Sequence, residues 1–366
     1  LVKHNKNQIT LMQYIFLIHG VQVGVGLLTL PRELAEIAGT DGWISIIIGY
    51  FLSTVAGLLI IQVMKKHPNG TILDLITHYF GKWVGKIAAL VFGLYFAFLA
   101  SIIFIRECLF IQFWILPQTD MFILMLLLSI PTYLIVRNNI KVIARYSQLV
   151  FFMTTWMIFF YFSPLKEAHW LHLLPVVKEG WIPIFTAVKV TIFSFIGFEI
   201  AFFLYPSLQK KQKASAGFII ANTLTLLILL TITIVIFAFF SPDEITQFKE
   251  PTISVLKIVE FKFLERVEIV FLSFYIFVIS TTVLPLMYST VFCLSQLFGA
   301  QNHSKFVGWY LLLNLVYIMF ITQTFDRNDQ LSKLVQPISL FLAYAFPICL
   351  LIYVSIHDRI KGRANL

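Results

Sequence analysis

Four ionisable side chains stand inside long apolar runs: Arg106, Glu107, Lys189 and Glu199. A charge near the centre of a bilayer costs about 3 kcal/mol on insertion scales, so each is expected to face a cavity or a partner. Glu199 follows Gly197 closely in FSFIGFEIAFFLYP, and Gly24 and Gly26 flank Val25 in HGVQVGVGLLTLP. Glycine tolerates unwound backbone, and unwinding frees N–H and C=O groups that hydrocarbon cannot satisfy but a polar ligand can. Half-helix N-termini at such breaks favour a carboxylate, and half-helix C-termini a cation or ammonium group. The expected ligand-binding residues are therefore Gly24, Val25, Gly26, Ile196, Gly197, Phe198 and Glu199. Glu199 is read as a ligand-facing or proton-exchanging carboxylate, and its other reading is a structural carboxylate that caps the N–H groups freed at the break.

Arg106 and Glu107 lie near the outer end of one run and Lys189 near the outer end of another, at similar depth. Glu107 is expected to pair with Lys189 as an outer gate or structural tie, with Arg106 snorkelling or joining the network. His19, Gln22, Tyr95, Ser101, Thr191 and Ser194 are candidates to line a polar path between these groups. No phosphate-binding loop, dinucleotide fingerprint, HExxH or GxSxG spacing occurs, so no enzyme activity and no cofactor are expected. His169 and His172 lack a third nearby ligand, and Cys108, Cys293 and Cys349 have no CxxC spacing, so no metal site or disulfide framework is expected.

The elements that must position these residues are membrane helices. Of 366 residues, 59% are hydrophobic and 12% charged, against about 45–50% and 25% in soluble domains, which excludes a water-exposed globule. Windows of roughly 20 apolar residues place ten spans at 9–31, 42–64, 87–114, 119–136, 143–163, 184–206, 214–240, 266–298, 306–323 and 332–356. The runs are continuous rather than alternating, which rejects a membrane β-barrel. The first run continues past signal-peptide length without a small-residue cleavage site, so it is read as a retained helix. With both termini cytoplasmic, the inner segments hold sixteen Lys and Arg against two acids, and the outer ones nine bases and fourteen acids. The net charge of +9 is thus a topology signal, with no basic groove for nucleic acid.

Ten spans form two sets of five, and an odd number forces the second set to enter from the opposite side. Folds of this kind place their sites in discontinuous helices at matching positions of the two halves. The chain is therefore expected to be an all-α polytopic membrane protein. It would form one transmembrane domain, a 5+5 inverted repeat in which repeat 1 is about 9–163 and repeat 2 about 184–356, with spans one and six broken and ending at Pro31 and Pro206. Residues 71–86 have apolar positions at helical spacing and predict a helix on the cytoplasmic face. Residues 251–265 predict either an outer re-entrant or surface helix or a plain connecting loop.

GVGLLTLPR at 24–32, DGWI at 41–44, FSFIGFEIAFFLYP at 193–206 followed by Lys210, Lys211 and Lys213, PTIS at 251–254 and FLERVE at 263–268 together resemble the B subunit of spore germinant receptors. That family is a branch of the amino acid/polyamine/organocation transporter superfamily, with a LeuT-like fold. The resemblance covers nearly the whole chain. It implies a membrane subunit that senses a small nutrient germinant, such as an amino acid or nucleoside, in the spore inner membrane with receptor A and C subunits. Arg106 and Glu107 fall outside these motifs and rest on burial alone. A second reading, a proton-coupled amino acid permease, uses the same site with Glu199 or Lys189 exchanging a proton, and a third is a water or ion conduit.

Overall fold

A computed structural model describes residues 8–24, 26–258, 266–300 and 302–364. Among these, regular structure is helical, with a single bridge pairing Ile9 and Leu208. The first half comprises α1 (Leu11–Val23), α2 (Gly26–Ala38), α3 (Gly42–Lys65), α4 (Ile72–Phe80), α5 (Lys82–Phe110), α6 (Met121–Val136) and α7 (Ile140–Thr154). The second comprises α8 (Trp181–Ser194), α9 (Ala201–Leu204), α10 (Ala214–Phe239), the short α11 (Pro242–Gln247) and α12 (Pro251–Ser254), α13 (Val267–Phe298), α14 (Ser304–Phe320), α15 (Phe325–Leu340) and α16 (Phe346–Ala364).

Six helical stretches among the described residues are long and apolar enough to cross a membrane, and α8 forms a seventh with 198–207 through a 44° bend. Helices α1, α6 and α14 are shorter and apolar. The bundle is apolar on its outside, where Phe51, Leu94, Leu149, Phe185, Leu313 and Phe320 stand exposed, while Asn222, Glu199 and Thr225 are fully buried. That arrangement suits lipid as solvent, because lipid tails accept apolar side chains and leave polar ones to find partners inside. The chain is a multi-pass membrane protein.

At the centre, α1 packs against α7, α10 and α13, while α2 and α3 pack against α8. Small residues permit these approaches. A Cβ on Gly49 of α3 would meet Thr191 Oγ1 of α8 at 2.5 Å, and that hydroxyl donates to Ser45 O at 2.9 Å.

Three sequence expectations are corrected by the structure. The first span does not end at Pro31, which lies inside α2. Proline has no N–H for the carbonyl four residues back, and the freed Leu27 O accepts instead from Thr252 Oγ1 of the PTIS segment at 3.0 Å. The surface helix predicted over 71–86 stops at Phe80, because Gly81 takes φ 88° and α5 begins at Lys82. The tenth run begins at Phe325 rather than 332, since one buried polar residue ties its first turns to the bundle: Asn328 donates to Ile102 O of α5 at 2.9 Å. Of the 251–265 segment, α12 and a 3-10 turn over 255–258 are helical, and 259–265 lie outside the described residues.

Candidate ligand-binding site

Both expected breaks are present. Between α1 and α2 the chain leaves the helix at Gly24, with φ 35° and ψ −142°. Past α8 it turns at Gly197, with φ 112°, a left-handed conformation that favours glycine. The breaks converge: a Cβ on Gly197 would stand 2.5 Å from Val21 Cγ1 and 3.0 Å from Val21 O. Gly26 opens α2 with Ser194 Oγ 3.9 Å from where its Cβ would be. Ile196 and Phe198 are buried beside Gly197. Val25 lies outside the described residues.

Several backbone groups at the two breaks have side-chain partners. Gln22 Nε2 of α1 donates to Phe195 O, where α8 ends, at 3.1 Å. Tyr275 of α13 donates from its hydroxyl to Gly24 O at 2.6 Å, and Thr282 donates to Gly20 O at 2.9 Å. Tyr344, in a π turn over 341–345, donates to Ile192 O at 2.9 Å. Glu199 is fully buried, accepting from the Gly197 N–H at 2.9 Å and from the Tyr95 hydroxyl of α5 at 2.6 Å. Both its oxygens are thus engaged, one on the freed backbone and one on a side chain of another helix.

Behind Gln22 lies a network that the sequence reading missed. Gln22 Nε2 also donates to Asn222 Oδ1 at 2.9 Å, and Gln22 Oε1 accepts from Thr225 Oγ1 at 2.9 Å. His19 Nδ1 lies 2.9 Å from Thr225 Oγ1. Asn222 and Thr225 share one face of α10, three residues apart, and a lone amide in an apolar run was their available signal. Tyr275, Thr281 and Thr282 of α13 were likewise unmarked, since Tyr and Thr are ordinary in membrane helices. Two expected path residues serve elsewhere: Ser101 bonds the Tyr310 hydroxyl at 2.7 Å, and Thr191 ties α8 to α3.

The outer tie is built differently from the expectation. Among the described residues no ion pair joins Glu107 to Lys189; Glu107 is buried in α5 and Lys189 is exposed on α8. Arg106 instead pairs with Asp329 of α15, its guanidinium 4.8 Å from the Phe325 ring centre and 5.4 Å from that of Phe110. Neighbours on a helix point about 100° apart, so Arg106 and Glu107 face different neighbours. The pairing was hidden because the polar start of α15 reads as loop. Reversing both Arg106 and Asp329 is expected to restore melting temperature in detergent relative to either single reversal. Each single reversal should cost about 1–2 kcal/mol, discounted because Asp329 is 44% exposed. No recovery in the double variant would count against the pair.

Comparison with known proteins matches this arrangement. Residues 8–330 fit the family model described as spore germination protein. The chain is 26% identical to spore germination protein GerQB of Bacillus cereus, over 88% of this chain and 87% of that one. It is 28% identical to spore germination protein A2 of Bacillus subtilis, over 99% of both. Among solved structures it superposes on a closed conformation of MHP1, a nucleobase-cation-symport-1 family transporter, with TM-score 0.54, 11% identity and coverage of 93% of this chain and 78% of that one. A Na+-coupled sialic acid symporter in an outward-open state gives TM-score 0.56 at 13% identity, covering 98% and 76%. At such identities these two show the fold alone, which is that of the LeuT-like transporters. The chain therefore belongs to the spore germination protein family.

Proposed function

We propose that this chain binds a small nutrient germinant, such as an amino acid or nucleoside, between its two helix breaks, and that binding triggers germination through receptor A and C subunits. The proposed setting is the spore inner membrane with both termini cytoplasmic, as the charge distribution favours. The observation that carries the reading is the meeting of the two breaks at Gly197 and Val21, beside the buried Glu199 carboxylate.

In the described conformation the breaks are closed by their own side chains. A ligand with an ammonium or N–H group can replace Gln22 at Phe195 O or Tyr275 at Gly24 O, and one with a carboxylate can take the Gly197 N–H from Glu199. Exchange of internal bonds for ligand bonds gives two states of different affinity, which is what ligand-driven signalling requires. The released side chains, Tyr95 on α5 and Tyr275 on α13, would carry the change outward to helices that pack closely together.

Glu199→Gln tests this reading. Glutamine can still accept from the Gly197 N–H and can donate to the Tyr95 oxygen, so the local bonding survives while the charge is lost. Spores carrying the variant at wild-type membrane levels are expected to lose the nutrient response. An unchanged response would remove Glu199 from the mechanism. Uptake of labelled amino acid by the purified chain alone in liposomes, abolished by the same substitution, would favour the proton-coupled permease instead.

A further inference from the structure

A cavity of about 220 Å³ lies on the far side of α1 from α8, bounded by α1, the end of α7 with its 3-10 extension over 155–162, α10 and α13. Its walls are mostly apolar, with Phe16, Phe151, Ile228 and Phe271 among them. Lining residues Thr155 and Leu227 are exposed at the bundle surface, so its mouth faces lipid between the 3-10 extension and α10.

The polar groups in the lining share one property. Each of the six lining hydroxyls already donates its proton to a backbone carbonyl: Ser147 to Ile143, Thr154 to Val150, Thr155 to Phe151, Tyr161 to Thr252, Tyr275 to Gly24 and Thr281 to Val278. A hydroxyl has one proton and two lone pairs, so what these groups have left is acceptor capacity. Thr225 donates to Gln22 Oε1, so it receives the His19 Nδ1 proton, and His19 Nε2 is an acceptor as well. No acidic or basic group other than His19 lines the space.

We infer that this cavity is a second binding site, beside the helix break, for an uncharged and mostly apolar molecule carrying an O–H or N–H donor. A carboxylate would find no donor there, and an ammonium ion no counter-charge. By proportion to a 150 Å³ cavity that takes benzene, the occupant has about nine non-hydrogen atoms. Gly20, Val23 and Leu27 line the same space on both sides of the break, and Tyr275 holds Gly24 O. Occupancy therefore bears on the break geometry without requiring the ligand proposed above.

The test is saturable binding of tritiated phenethyl alcohol to the full chain in lipid nanodiscs, with empty nanodiscs as background. Ethylbenzene, which lacks only the donor, is expected to compete about tenfold more weakly, the worth of one hydrogen bond. Phenylacetate is expected not to compete. Ile228→Trp and Ser147→Leu fill the space, and either, if monodisperse and melting as the wild type, should abolish saturable binding. The competitor series stands on the wild-type protein should both variants misfold. Equal competition by ethylbenzene, binding that survives in a folded filled variant, or no saturable binding because a lipid chain occupies the space would each overturn the inference.

Discussion

Gly197→Ala is expected to lower the melting temperature of the purified protein sharply and to abolish nutrient response, although it adds only one methyl group. Two costs combine. Holding a non-glycine residue at φ 112° costs about 1–3 kcal/mol. The new Cβ would also stand 2.5 Å from Val21 Cγ1 and 3.0 Å from Val21 O, and overpacking of this kind adds about 1–3 kcal/mol. The two breaks would be forced apart where they meet, and the Gly197 N–H would be drawn off Glu199.

Two comparisons make the result specific. Gly39→Ala, at φ 57° with open space around it, should cost only about 1 kcal/mol. Val21→Ala combined with Gly197→Ala should recover part of the loss, because the side-chain clash is relieved while the backbone contact and dihedral strain remain. A Gly197→Ala protein that melts with the wild type would show that the breaks do not touch as described.

Asn222→Leu is expected to have the next largest effect. Asn222 is fully buried, and its two amide protons are shared among Tyr50 O at 3.2 Å, Ser53 Oγ at 3.0 Å and Thr54 Oγ1 at 2.7 Å. Its oxygen accepts from Gln22, so one side chain joins α1, α3 and α10. Leucine is similar in size and satisfies none of these groups. Single hydrogen bonds between membrane helices average about 0.6 kcal/mol, but loss of a hub that leaves several buried groups unpaired should cost about 1–3 kcal/mol. Asn222→Asp should destabilise in the same direction, since an ionised carboxylate cannot donate.

The functional consequence runs through Gln22, which holds Phe195 O and thereby ties the first break to the second. In a thermal-stability cycle, Asn222→Leu and Gln22→Leu should be clearly non-additive, as residues in one network are. Additive losses would mean that Asn222 and Gln22 act separately and that the network does not set the break.

What the sequence by itself determined is the solvent, the fold class and the place of the breaks. Long apolar runs and the paucity of charge require lipid. Glycines at 24, 26 and 197 mark where helices give way, because glycine makes unwound backbone inexpensive. Glu199 stood out because a carboxylate in an apolar run demands a reason.

The partners were decided only by the tertiary structure. Arg106 found Asp329 rather than leaving Glu107 to Lys189, because the direction of a side chain depends on its helix's rotation against neighbours far along the chain. Thr252 reaches the carbonyl that Pro31 frees, across 225 positions of sequence. Tyr275, Asn222 and Thr225 acquire their roles only once α10 and α13 are laid against the broken α1. Residue type and spacing report what a backbone can do locally, whereas satisfaction of each freed N–H and C=O depends on which distant helix arrives beside it.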